Sequence, residues 1–333
     1  MAVAAGAVHS APWSGPAGAA LRAQARDALA AGGLQVDEAR AQEYLRASFA
    51  AAASDARDLA RRLRRLGGGG DVFRSFVDAV PTMTAFASSV TDAAYELTGA
   101  SRETQPDARR ALALYVLASA IFDRACDEDA NLMRELGDGL SDASLQAALE
   151  RGTMLARERA RLPLVRSFWV LVDDFVQIVD SMASRAHQGA HGSRAQLVRT
   201  ILDAYRAAMG ASHLSAADVW ASPLYVAYLL TAVGSGSVSA PEPELEDLVR
   251  STGELFMLVD DVADISEDWT NEARNSLLDL IRRSVGHRHP SPADLTEPVT
   301  SAHMDRIREL ARAIATAPCA SGVSAWLHYW LCS

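Results

Sequence analysis

The chain has 333 residues, of which 49% are hydrophobic and 22% charged, and its formal net charge is −10. Such a chain can bury a sizeable core as one large domain or two small ones, and its acidic balance excludes nucleic acid as the main partner, because phosphate backbones select basic surfaces. All 32 basic residues are arginine, so a Schiff base or a lysine phosphate site is excluded, and any anion must be held by Arg, His, backbone N–H or a metal.

Residues 1–20 are Ala/Gly/Pro-rich and are expected to be loose. Their apolar start is short and lacks a basic segment, so no signal peptide is expected. Residues 21–66 read as two helices broken at Gly32-Gly33. The run Arg61-Arg62-Leu63-Arg64-Arg65 closes the second. It reads as a solvated helix C-terminus favoured by the dipole, or else as a contact for an anionic surface. Gly67 to Gly70 form a flexible joint. Residues 1–70 are therefore expected to stand apart from a functional bundle over 71–333.

From Asp71 onward the apolar period is helical and alternation with period two is scarce, which predicts an all-α chain. Helices are expected at about 71–99, 105–137, 141–160, 163–188, 193–210, 215–234, 242–270, 274–285 and 302–331. The only long irregular piece runs from Gly286 to Thr300 and contains three prolines. The most apolar stretch, 219–233, is interrupted by Pro223, so no membrane span is expected. Cys126, Cys319 and Cys332 fit no zinc or disulfide framework, as in a reduced, cytosolic protein.

The strongest local pattern is Asp260-Asp261-Val262-Ala263-Asp264-Ile265-Ser266-Glu267-Asp268. Asp260, Asp264 and Asp268 recur every four residues, so they stack on one helix face. The lead-in Leu255-Phe256-Met257-Leu258-Val259 is apolar, which places the carboxylates where a helix should be buried. Two carboxylates about 6 Å apart repel by roughly 3 kcal/mol at an effective dielectric near 20. A hard divalent cation would relieve that repulsion. Mg²⁺ takes a few carboxylates together with waters and phosphate oxygens. The alternative is an exposed acidic face paired with arginine.

A second pair, Asp123 and Asp127, has the same spacing on a strongly apolar helix. Alone it is equally well read as an acidic helix end. Two such helices in one all-α chain could hold metal ions between facing acidic walls. A third pair, Asp173-Asp174, lacks a carboxylate four residues on and is read as structural or as the rim of a pocket.

These residues resemble the class I isoprenoid synthases, which carry one aspartate-rich motif on each of two facing helices. Asp260-Asp261-x-x-Asp264-x-x-x-Asp268 is similar to the second motif, and Arg274-Asn275 follows where that superfamily has a polar pair on the diphosphate side. Asp123-Arg-Ala-Cys126-Asp127 is more similar to the Asp-x-x-Cys-Asp core of the bacterial class IB large-terpene synthases, the tetraprenyl-β-curcumene synthase kind, than to Asp-Asp-x-x-Asp. Leu162-Pro163 through Ser184-Arg185-Ala186-His187, Trp220-Ala221-Ser222-Pro223 and Ala325-Trp326-Leu327-His328 are similar to further segments of that branch, with Arg185 where the branch has lysine.

The resemblance implies a single antiparallel helix bundle around a central apolar cavity. It implies Mg²⁺, three ions with Mn²⁺ as a substitute, held by Asp123, Asp127, Asp260, Asp264 and Asp268. An isoprenoid diphosphate of C15 to C25 would be the substrate, with Arg185, Arg274 and Asn275 on the diphosphate, and a homodimer would be usual. The implied reaction is ionisation to an allylic cation, followed by cyclisation or elimination. Phe122, Phe168, Trp169, Trp220, Tyr225 and Phe256 are candidates to line the pocket, with core packing as the default for each. A chain-elongating prenyl diphosphate synthase is the nearest alternative, disfavoured because no Gly-Lys-rich segment precedes the first motif. A non-catalytic helical protein with solvated acidic faces is the alternative from another class.

Overall fold

Residues Ala216–Ser235 carry a single charged residue, Asp218, and are otherwise apolar or small on every side. A helix of that kind must be surrounded by others. The computed structural model describes residues 13–35, 38–66, 71–128, 136, 162–186, 216–235, 243–271, 275–286 and 289–332. Among them it contains eleven α-helices and no strand, which establishes the all-α class. They are α1 Pro16–Ala31, α2 Glu38–Leu66, α3 Asp71–Thr98, α4 Gln105–Glu128, α5 Pro163–Ala186, α6 Ala216–Ser235, α7 Pro243–Ala263, α8 Ile265–Asn271, α9 Ser276–Val285, α10 Glu297–Ile314 and α11 Ala320–Cys332. The helices expected over 141–160 and 193–210 lie outside the described residues.

The apolar α6 packs against α3, α4, α5 and α7. Its neighbours define its direction and theirs. Tyr115 Oη donates to Ser222 Oγ at 3.0 Å, and a Cβ on Gly234 would meet Thr104, so α4 and α6 are antiparallel. Pro223 and Leu224 share a hollow with Thr252, Gly253 and Phe256, and a short connection joins the end of α6 to the start of α7, so these two are antiparallel as well. Helices α4 and α7 therefore run in the same direction and finish at the same end of the bundle. Helix α5 is antiparallel to α4, with Tyr115 beside Phe175 and Phe122 beside Phe168.

Two expected helices are divided. The one over 242–270 bends at Asp264. Helical register survives the bend, because Asp264 N–H donates to the Asp260 carbonyl at 2.8 Å and Asp268 N–H to the Asp264 carbonyl at 2.9 Å. The one over 302–331 breaks between Ile314 and Ala320, where Pro318 has no N–H and disfavours helix at Ala317.

One hydrophobic core extends from Trp13 to Leu331 and includes Leu21, Leu29, Leu59 and Leu63. It therefore runs across the boundary expected at residue 70. Residues 13–20, expected to be loose, contain the buried Trp13 and the first turn of α1. Helix α1 is held close to α10: a Cβ on Gly32 would lie 2.5 Å from Ala311 Cβ and 2.6 Å from the Arg308 carbonyl oxygen. Gly33 follows at φ +95°, a conformation that favours glycine.

Candidate functional site

Side chains four residues apart on a helix share a face. On α7 the face of Asp260 continues downward as Phe256 and Thr252, and both line an apolar hollow together with Phe86, Pro223 and Trp326. Aromatic rings surround it: Phe86 meets Trp326 edge-on at 5.2 Å, and Phe256 meets Trp330 edge-on at 5.1 Å. The carboxylate stripe thus begins one helical turn above the hollow. The hollow has about 20 Å³ of open volume, room for about one water molecule. That is too small for an isoprenoid chain, since ligand pockets run to hundreds of Å³.

Along the stripe, Asp260 and Asp268 are half-buried and Asp264 is exposed. Buried Asn275 organises the far end. Its amide donates to the Asp268 carboxylate at 2.8 Å and to the Asp261 carbonyl at 2.7 Å. Its carbonyl accepts from Leu278 N–H at 2.9 Å and so caps α9. Asp261 is off the stripe and buried. Its carboxylate accepts from Ser276 N–H at 3.0 Å and from the Ser276 hydroxyl. Burial pushes the Asp261 carboxyl up to about 6; the Ser276 bonds oppose this, and Asp268 and Asp279 add to it. Asp264 is also raised, by desolvation and by Glu267, against the pull of Arg22. Arg22 reaches this point from α1 and donates to the Ala263 carbonyl at 3.4 Å.

The backbone of α4 at Asp123 and Asp127 reaches the same end of the bundle as Asp260. Tyr115 and Gly253 lie at a common level beside Ser222 and Pro223. At 1.5 Å per residue, Asp123 stands about 12 Å and Asp260 about 10 Å beyond that level. The side chains of Asp123 and Asp127, and all of Arg274, lie outside the described residues. Arg185 is not brought to this end. It pairs with Asp107 in the first turn of α4, about 24 Å along the helix from Asp123. Among the described residues, no three His, Cys, Asp or Glu side chains gather closely enough to hold a metal ion.

Asp174 is structural: it accepts two bonds from Arg62 and ties α5 to α2. Phe122, Phe168 and Trp169 are buried, the first two packed together and the last two ring to edge. Tyr225 is half-buried, and the Trp220 side chain lies outside the described residues. Of the expected pocket aromatics whose side chains are described, only Phe256 lines the hollow.

Arg22, Ser276 and His303 were not legible as part of this region. His303, on α10, is buried with Nε2 3.1 Å from the Leu258 carbonyl, and its Nδ1 has no partner among the described residues. A serine directly after Asn275 carried a weak local signal, as a cap neighbour; Arg22 and His303 carried none. No protein-family model, no curated protein and no solved structure matches the chain.

Proposed function

We propose that the protein is a metal-dependent enzyme that ionises an isoprenoid diphosphate, with terpene cyclisation favoured over chain elongation. The observation that carries the reading is the line of carboxylates, Asp260 near the end of α7, Asp264 at the bend and Asp268 on α8, of which Asp260 stands one turn above Phe256 and an aromatic-lined hollow. The residues suit magnesium by donor type. They are oxygen ligands only and recur one turn apart, the donor type of a cation that completes its shell with water and phosphate.

In this reading Asp260, Asp264 and Asp268, together with Asp123 and Asp127, hold the ions, which when bound supply the positive charge that neutralises a departing diphosphate. Asn275 holds Asp268 in place by its 2.8 Å bond. Phe256, Phe86 and Trp326 exclude water and turn aromatic faces or edges toward the apolar chain, where a face attracts a cation. Arg185 stands outside the set, because it is engaged by Asp107. Substrate entry requires the hollow to widen.

A second reading is favoured by the small hollow and by the absence of a three-carboxylate group among the described residues. It is a non-catalytic helical protein whose acidic stripe is structural. Incubation with C10, C15, C20 and C25 diphosphates and Mg²⁺, followed by hydrocarbon analysis, separates the two. A melt with Mg²⁺ plus pyrophosphate should shift upward by several degrees for the enzyme. No product from any diphosphate and no shift would leave the second reading standing.

A further inference from the structure

The arginine run at the end of α2 belongs to a cleft. Arg57, Arg61, Arg64 and Arg65 rim an open depression of about 680 Å³ between α2 and α3. At 100° per residue these four fall within about 100° of the helix circumference. Beside them, Phe49, Ala53, Ala56 and Ala60 form an apolar floor, which Pro81 of α3 completes. Small alanines leave the space; the arginines border it.

Among the described residues the four guanidinium groups are poorly neutralised. Arg57 and Arg65 make no ion pair among the described residues. Arg61 meets Asp58 at 3.5 Å and Arg64 meets Asp78 at 3.8 Å, with all four of these side chains more than 60% exposed, so both pairs are weak. Like charges one turn apart repel. Arg62, the fifth arginine of the segment, is engaged by Asp174 and faces elsewhere. In a chain of net charge −10, a concentrated and largely uncompensated cationic rim attracts anions. Guanidinium forks suit phosphate oxygens in particular.

We propose that this cleft binds one amphiphile with a phosphate or diphosphate head, its head among Arg57, Arg61, Arg64 and Arg65 and the start of its apolar chain on the alanine floor. The volume suits a single ligand molecule. The cleft shares no lining residue with the hollow below Asp260 and does not depend on metal.

Calorimetry on the full chain in EDTA, without divalent ions, tests it. The probes are dodecyl phosphate below its micelle-forming concentration, inorganic phosphate, and phosphatidylcholine vesicles with or without phosphatidylglycerol. Dodecyl phosphate should bind one to one and about tenfold or more tighter than inorganic phosphate, because only the former covers the floor. Arg57→Gln with Arg65→Gln should weaken dodecyl phosphate about tenfold with an unchanged melting temperature, since neither residue makes an ion pair among the described residues. Ala53→Trp should weaken dodecyl phosphate and spare inorganic phosphate. Equal binding of the two phosphates, or undiminished binding by the double variant, would overturn the site. Binding to phosphatidylglycerol vesicles but not to monomeric dodecyl phosphate would overturn it too, in favour of a membrane-facing surface.

Discussion

Asn275 and Asp268 are joined by a hydrogen bond of 2.8 Å, which ties the last carboxylate of the acidic stripe to the cap of the next helix. The same amide also holds the Asp261 carbonyl. One side chain therefore fixes the end of α7, the orientation of α8 and the start of α9.

Asn275→Ala removes the cap and both donated bonds. Stability should fall by about 2 kcal/mol, read as a lower urea midpoint at unchanged slope. If the protein binds Mg²⁺ with pyrophosphate, the loss of a group that orients a ligand should also weaken that binding about tenfold to a hundredfold. A variant with full stability would show that the cap is dispensable.

Asp260→Asn, Asp264→Asn and Asp268→Asn keep side-chain size and relieve carboxylate repulsion. Each should retain the helical circular dichroism and melt no lower than the parent without metal. Each should lose about a hundredfold or more of Mg²⁺-dependent turnover on the active diphosphate. Turnover that survives all three changes would contradict the assigned roles.

Gly32→Ala tests whether α1 is integral to the bundle. The backbone of Gly32 is right-handed helical, at φ −79°, so alanine meets no torsional penalty there. Its methyl group would instead meet the Arg308 carbonyl oxygen at 2.6 Å. Overpacking of this kind costs about 1–3 kcal/mol, and a chemical melt reads it directly. A neutral outcome would mean that α1 yields without disturbing α10.

His303 supplies a pH dependence. Burial lowers its pKa below the ordinary value, only partly offset by the Leu258 carbonyl. Its contribution to stability is therefore complete above the unfolded value of about 6.5 and is lost as pH falls below it, because the unfolded chain takes up the proton first. The melting temperature should fall more steeply from pH 7.5 to pH 5 in the parent than in His303→Gln. Parallel profiles would assign the pH dependence to other groups. Asp261 works in the opposite sense: its raised pKa makes acid more favourable to the fold between its unfolded value and about 6, so the comparison must be made between the two variants.

Much of the local structure was readable. The apolar period placed α3, α5 and α6 to within about three residues, and the break at Gly32-Gly33 separates α1 from α2 as expected. The four-residue recurrence of Asp260, Asp264 and Asp268 persists in the backbone even through the bend at Asp264. What could not be read was which neighbour each charged group would meet. Arg185 looked available for an anion and is engaged by Asp107; Arg62, in the middle of the basic run, is engaged by Asp174. The N-terminal segment looked separable, yet Trp13 and α1 enter the common core.

The amino-acid order by itself determined the helical class, the shared face of the acidic stripe and the exclusive use of arginine for positive charge, because each depends on composition or on contacts within one or two helical turns. Only the tertiary structure decided that Phe256 continues that stripe into a hollow, that Asp261 turns inward to Ser276, and that Arg22 arrives beside Asp264. Those outcomes depend on which faces of distant helices meet, and packing of the whole core sets that choice.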